Sequence, residues 1–268
     1  MISLISNKKQ KLSRCLDIQE GITYNQVKTL LKNKDIKING ERVKEDCIVN
    51  QGDEIIAYIV KKEKSIKTLY QDDNIVALYK NKGIASPDFA NKVQHLYPNA
   101  KLMHRLDTNT DGILLFSLNN LAYNEIYQAF KNRTLIKKYH ALVYGRPPIK
   151  NEILTAYYKK DKINSRAIIS DQEKKDTIKI ITEYTIKKYN SQENTTLLDV
   201  TLHTGKTHQI RAHLSHIGLP IIGDGKYGNE QINRKFKCKK QQLTFYFLSF
   251  NFPSSSPLFY LNNLPIKI

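Results

Sequence analysis

The chain has 268 residues, 40% hydrophobic and 25% charged, with 43 Lys+Arg against 25 Asp+Glu and a formal charge of +18. That length buries a substantial core and allows two domains, and the ordinary apolar and charged fractions exclude a disordered or fibrous chain. The deficit of acids favours a polyanionic partner, nucleic acid first, and no apolar run approaches the ~20 residues that cross a bilayer, so no membrane role is expected.

Cys15, Cys47 and Cys238 are scattered and form no CxxC pair. Reduced cytoplasmic thiols are therefore expected, not a disulfide frame or a zinc site. The first residues put a few apolar side chains before the lysines, the reverse of a secretory signal.

In chain order, residues 1–11 read as a basic, loosely held tail. Residues 12–59 form a compact unit with its own punctuation. Leu12 and Leu16 share one face of a short helix. Thr23 and Gln26 make a capping box for a second, whose apolar face is Val27, Leu30 and Leu31. Ile36 and Ile38 alternate with Lys37 up to Asn39-Gly40, a strong hairpin signal, and Gln51-Gly52-Asp53 turns into a strand over Glu54–Ile59. The unit is too small for catalysis and holds no acid–base cluster. It reads as a binding module, with Lys28, Lys32, Lys34 and Arg42 as its candidate RNA contacts.

Residues 60–68 read as a polar linker. Beyond it, Ile75–Tyr79 reads as a strand and Lys80-Asn81-Lys82-Gly83 as a tight basic loop. A helix is expected over Asn120–Phe130, and strands over Leu135–Val143, Ile178–Ile186 and Thr196–Leu202. Residues 159–176, charged and poor in large apolar groups, suit a surface hairpin or loop. Thr204 is the expected cap of a last helix with Ile210, Leu214 and Ile217 as its buried stripe, ended by Gly218 before Pro220.

Three stretches carry the candidate chemistry. The first runs from His104 to Phe116, where a Thr/Asn/Asp/Gly turn over Thr108–Gly112 leads into an apolar strand. Asp107 sits at that edge of the core, beside Arg105, as either a structural turn-former or a poised nucleophile or base. Arginine is rare here against many lysines, so Arg105 and Arg211 inside dense motifs suggest a need for fork geometry or stacking. Arg211 pairs with Asp107 on one account, and each arginine simply meets a phosphate or a surface acid on the other. Four histidines between 203 and 216 invite a metal reading. No Cys, Asp or Glu lies between His203 and Ile222, however, and HExxH is absent, so core or RNA-facing histidines are favoured. No Gly-rich phosphate loop or Gly-x-Ser-x-Gly elbow appears, and neither metal nor cofactor is expected.

Taken together, His104-Arg105-Leu106-Asp107-x-x-Thr110-x-Gly112, Lys138-Tyr139-His140-Ala141-x-Val143-x-Gly145 and Thr204-Gly205-Lys206-Thr207-His208-Gln209-Ile210-Arg211-x-His213-Leu214 resemble the three motifs of the RluA-type pseudouridine synthases. Gly218-x-Pro220-x-x-Gly223-Asp224-x-x-Tyr227-Gly228 extends the third. The resemblance covers residues 69–268, while residues 12–59 resemble a small ribosomal-protein-like RNA-binding domain often fused to these enzymes.

This resemblance implies an α+β protein: a catalytic domain with a mixed, mostly antiparallel sheet around a central cleft, plus a small α/β RNA-binding domain. It also implies catalysis without metal or cofactor. By the same resemblance Asp107 is the nucleophile, Arg211 the arginine paired with it, and Tyr139 the tyrosine that packs on the target base. Arg105 would fill the space left by a flipped nucleotide, since C1′ of a stacked base is closed to a carboxylate. The sequence departs from the family pattern at Asp111, where a small or hydroxylated residue is usual, and at Asn81, Lys206 and Leu219. The turn is expected to point Asp111 to solvent.

The expected activity is isomerisation of uridine to pseudouridine by a monomer acting on RNA, large-subunit ribosomal RNA first, and not on DNA. The rivals are a synthase for transfer RNA, a ribosome-assembly factor that keeps only the fold, and a histidine-dependent ribonuclease, which would shorten its RNA.

Overall fold

The computed structural model describes residues 1–58 and 66–268, and the chain forms two compact units, Met1–Ser65 and Ile66–Ile268. The first contains β1 (Ile2–Ile5), β2 (Gln10–Lys11), α1 (Leu12–Glu20), α2 (Tyr24–Lys32), β3 (Ile36–Ile38), β4 (Glu41–Arg42), β5 (Ile48–Val49) and β6 (Glu54–Ala57). At the start of α2 the Gln26 side chain accepts the Thr23 N–H at 2.8 Å, which satisfies one of the helix's free amides. Val27, Leu30 and Leu31 are buried with Leu12, Cys15, Leu16, Ile36 and Ile55 in a core of their own. The β3–β4 hairpin turns on Asn39 (φ 48°) and Gly40 (φ 86°), the two left-handed positions such a turn requires.

The segment expected as a loose tail is part of this unit. β1 pairs antiparallel with β6, Leu4 is buried, and β2 pairs with β5. Backbone pairing with partners dozens of residues away is what orders it, and local composition carries no trace of such pairing. Strand β6 ends at Ala57. Ile59, the expected end of that strand, and residues 60–65 of the expected linker lie outside the described residues. Thr68 already belongs to a strand, so the linker does not extend that far.

The second unit contains β7 (Thr68–Gln71), β8 (Ile75–Lys80), α3 (Ser86–Gln94), β9 (Lys101–Leu102), β10 (Asp111–Ser117), α4 (Asn120–Asn132), β11 (Ile136–Tyr144), β12 (Asn151–Asp161), β13 (Arg166–Ser170), β14 (Ile178–Asn190), β15 (Thr195–Leu202), α5 (Gln209–His216), α6 (Glu230–Lys235), β16 (Leu243–Ser249) and β17 (Ile266–Lys267). Its sheet has 11 strands in the order β13-β12-β14-β15-β11-β16-β10-β8-β7, with β17 on β16 and β9 on β10. Among the described residues only β10–β16 is parallel, so the sheet is mixed and mostly antiparallel and the class is α+β, as the motifs imply. Ile113 to Phe116 is fully buried, which explains why β10 reads as a continuous apolar run and not as an alternating one. Among the described residues no helix is long and apolar enough to cross a membrane.

Helix α4 is capped by the Asn119 side chain, which accepts the Ala122 N–H at 2.8 Å. Helix α3 has no counterpart among the elements expected from sequence; its apolar face is only Phe89 and Val93, too short a stripe to stand out, although Pro87 suits its first turn. Residues 151–170 form the β12–β13 hairpin at the sheet edge. Helix α5 starts one turn later than expected, capped by His208 and not by Thr204. Thr204 is buried instead, where its hydroxyl accepts the Ile181 N–H and donates to Gln209 Oε1, both at 2.9 Å. Ile217 lies past the end of α5 and is 36% exposed, so the buried stripe stops at Leu214.

Candidate active site

The loop that carries Asp107 is fastened on both sides. Before it, Ser86 Oγ donates to the Leu106 carbonyl and accepts the Leu106 N–H, both at 2.9 Å. After it, the Thr108 carbonyl accepts from Gly83 N at 2.8 Å and from Lys80 Nζ at 3.3 Å. Gln241 donates to the Thr110 hydroxyl at 2.6 Å. Lys80 is fully buried and also donates to the carbonyls of Asn81 and Ile84. Burial pushes its ammonium down to about 8, against the pull of Asp111 and Asp107. The loop over Lys80–Gly83, read from sequence as merely basic, is thus tied into the Asp107 loop.

Arg211, on α5, reaches both carboxylates of the site. Its Nη1 donates to Asp107 Oδ2 at 2.8 Å, while Nε and Nη2 fork onto Asp224 at 2.7 and 2.8 Å. The Asp224 side chain is 0% exposed and that of Asp107 24% exposed, so Asp224 anchors the guanidinium and Asp107 faces the open side. Burial opposes the Arg211 charge, but Asp224 first and Asp107 second hold it above the usual arginine range. Asp224 likewise stays below the ordinary carboxylate value despite its burial, because of Arg211 and the N–H groups of Lys226 and Tyr227. Gln209 sets the helix start: its amide donates to the Ile181 carbonyl and the Thr182 hydroxyl at 3.1 Å each.

Tyr139 comes from β11 at a register shift against β16, and its ring stacks on Phe245 at 4.7 Å between centroids. It is 8% exposed, and burial, then the charge of Asp107, raises its phenol well above the usual tyrosine value. Phe245 also meets His104 edge-on at 5.5 Å, and Phe130 packs on the other side of that imidazole. Burial, then Lys137, pushes His104 down to about 4, so it is neutral. Asp107, Tyr139, Arg211 and an exposed Arg105 all line one cleft of about 740 Å³, a size suited to a nucleotide.

Asp111 differs from expectation. It does not point to solvent: Tyr79 donates to its Oδ2 at 2.6 Å and Thr244 to its Oδ1 at 2.7 Å, with Lys82 3.8 Å away. As the first residue of β10 it is directed by the strand's pleat and not by the turn. Two neighbours of Arg211 have roles that sequence reasoning misses. Asp224 stands in the extended third motif without a role there, and only the fold shows it clamping Arg211. His208, grouped by sequence with the other histidines, faces Asp107, with Nε2 3.9 Å from Oδ1.

Lys28, Lys32, Lys34 and Arg42 lie in the first unit, all exposed. Arg42 Nη1 donates to the Lys34 backbone carbonyl at 3.2 Å. Among the described residues no cluster of three or more His, Cys, Asp or Glu could hold a metal.

Residues 57–216 match the family pattern described as RNA pseudouridylate synthase. The chain belongs to that family, in its RluA-type branch, and the family's members are isomerases. It is 32% identical over 244 residues to a protein of Rickettsia conorii named ribosomal large subunit pseudouridine synthase C, covering 79% of each chain. It is 34% identical over 229 residues to an uncharacterized RNA pseudouridine synthase of Helicobacter pylori, covering 82% of this chain and 87% of that one. Among solved structures, human RNA pseudouridylate synthase domain containing 1 has the same fold, with a TM-score of 0.64 at 21% identity over 71% of this chain and 80% of that one.

Proposed function

We propose that this protein converts specific uridines of large-subunit ribosomal RNA to pseudouridine in the cytoplasm, acting as a monomer with Asp107 as its nucleophile. The reaction breaks the N1–C1′ bond, turns the uracil and joins C5 to C1′. The C5 proton leaves and N1 ends protonated, so nothing is added or lost. The observation that carries the reading is the asymmetry of Asp107: Oδ2 is held by Arg211 at 2.8 Å and Oδ1 accepts no hydrogen bond among the described residues. A carboxyl group oriented by a guanidinium, with one free oxygen in a nucleotide-sized cleft, is suited to nucleophilic work.

In this reading Tyr139, already stacked on Phe245, packs against the target uracil. Arg105, at the rim of the cleft, fills the gap in the RNA stack while the base is flipped. Lys28, Lys32, Lys34 and Arg42 hold RNA by its phosphates in the same reading, and their common exposure supports an RNA-binding role for the first unit. The choice of ribosomal RNA rests on relatives named for the ribosomal large subunit, and the formal charge of +18 supports an RNA partner in general.

The test is to map pseudouridines in the RNA of a strain with and without the gene. Loss of one or more sites from large-subunit ribosomal RNA is expected. Loss from transfer RNA would move the substrate, and no loss in any RNA would end the assignment.

A further inference from the structure

The free oxygen of Asp107 has a neighbour whose own surroundings are fully specified. His208 caps α5 with φ 58°, a left-handed conformation that non-glycine residues adopt rarely, whereas the caps of α1 to α4 are extended. Strain of this kind persists where the surroundings demand it. The result is that the ring lies between Tyr227 and Asp107. Its Nδ1 is 3.0 Å from the Tyr227 hydroxyl. That oxygen already accepts the Ala167 N–H at 2.6 Å, so the phenol proton is directed to Nδ1. A neutral imidazole then carries its own proton on Nε2, the nitrogen 3.9 Å from Oδ1 of Asp107. The Tyr227 ring also lies under Arg211 at 5.2 Å, so one tyrosine steadies both partners of the carboxylate.

We propose that His208 is a positioning residue for the reaction: a neutral imidazole, its tautomer fixed by Tyr227, that presents an N–H to the oxygen of Asp107 left free by Arg211. This rests on the reading of Asp107 as the reacting carboxylate. At 3.9 Å the donor is beyond hydrogen-bond length, so it faces Oδ1 as a nearby dipole and leaves the reacting lone pair unoccupied. The charged and titratable groups facing His208 are Asp107 from its loop, Arg211 from α5, and Asp224, Lys226 and Tyr227 from the segment before α6. Burial, with Arg211 and Lys226, outweighs the two carboxylates and keeps the ring neutral at values where a free histidine is charged. Protonation at Nδ1 would end the Tyr227 donation and place a full charge beside the reacting oxygen.

The experiment uses the full chain in excess over a large-subunit ribosomal RNA transcript carrying tritium at C5 of uridine, with tritium release followed from pH 5 to 9. His208→Leu is expected to lower the single-turnover rate at least about tenfold with RNA affinity within about threefold. His208→Gln, which keeps a side-chain N–H but cannot titrate, should restore part of that loss and abolish the acid limb of the wild-type profile. Tyr227→Phe leaves Nδ1 without its donor and should move the acid limb to higher pH. Circular dichroism checks that each variant folds. A His208→Leu rate equal to wild type at every pH would overturn the proposal, and so would an acid limb unchanged in both other variants, even if His208→Leu fails to fold. No tritium release by the wild type, on this transcript or on C5-tritiated total RNA from a strain lacking the gene, would overturn the functional reading and this inference with it, whereas release by wild type and His208→Leu alike would overturn only the inference.

Discussion

Arg211 Nη1 lies 2.8 Å from Asp107 Oδ2, a contact made across 104 residues of chain, and it uses only one of the three nitrogens of that guanidinium. The other two are spent on Asp224, which no solvent reaches. The exposed carboxylate is therefore oriented by a cation that is itself oriented by a buried one. Asp224→Asn breaks the buried pair and leaves Arg211 free to swing. The expected cost is about 3 kcal/mol of stability, at the low end of the range for such pairs because Asp107 remains as a partner. Pseudouridine formation should fall by about 10- to 100-fold. Urea unfolding and single-turnover kinetics measure the two effects separately.

Asp107→Asn keeps the shape of the side chain and an acceptor for Arg211 but removes the anion. Isomerisation is expected to fall below detection while RNA affinity stays within a few-fold, because a nucleophile is removed and the phosphate-binding side chains are untouched. A filter-binding titration beside a pseudouridine assay on the same preparation decides it. A variant that forms pseudouridine at near the wild-type rate would remove Asp107 from the mechanism.

Much of the site was legible because its signals are local. Thr108 to Gly112 announces a turn, Ile113 to Phe116 a buried strand, and scarce arginine among many lysines singles out Arg105 and Arg211. What stayed hidden depends on partners distant in sequence. Ile2–Ile5 resembles a tail until β6 is beside it, and Asp111 resembles a solvent-facing turn residue until Tyr79 and Thr244 reach it from neighbouring strands. Asp224 and Tyr227 were visible as letters of a motif. Their work, clamping Arg211 and pairing with His208 Nδ1, is a matter of tertiary distance.

The first unit offers a separable test. Lys28, Lys32, Lys34 and Arg42 are exposed and free of any salt bridge among the described residues. Replacing all four by Gln should weaken RNA binding and reduce the slope of log affinity against log salt by roughly 1 for each phosphate no longer neutralised. The single-turnover rate on saturating RNA should not change. An unchanged salt slope would mean that this face does not touch RNA.

Gly112 joins the Asp107 loop to β10, where β10 runs parallel to β16. Its φ of 126° lies in the region that favours glycine, and a Cβ built there would meet the Phe245 carbonyl oxygen at 2.2 Å. The obstacle is backbone, which cannot turn aside as a side chain would. Gly112→Ala is expected to cost about 3 kcal/mol through strain and overpacking. Because Phe245 is also the ring on which Tyr139 stacks, the rate on bound RNA should fall as well. Gly205→Ala is the control: a Cβ there meets nothing within 4 Å, and stability should hardly move.

Acid stability follows from histidines whose charge the fold opposes, His104 and His213 above all. His104, between Phe130 and Phe245, and His213, against Thr182, are each pushed down to about 4, mainly by burial, from an ordinary value of 6.5. Both are neutral when folded. Above pH 6.5 the unfolded chain is neutral at these positions too, and the stability that goes with the depressed values is fully present. As the pH falls from 6.5 toward 4 the unfolded chain takes up two protons that the folded one refuses, and that stability is lost. Each histidine contributes a slope of up to about 1.4 kcal/mol per pH unit. Between pH 6.5 and 5, above the range where carboxylates dominate, the second unit should therefore lose stability steeply. His104→Asn and His213→Asn should each reduce that slope by up to about 1.4 kcal/mol per pH unit, whatever their cost at pH 8, while His208 and His140, which the fold also shifts down, keep a remainder. Urea midpoints measured at four or five pH values across this window give the slope directly, and equal slopes in wild type and both variants would mean that these imidazoles titrate alike in the folded and unfolded chain.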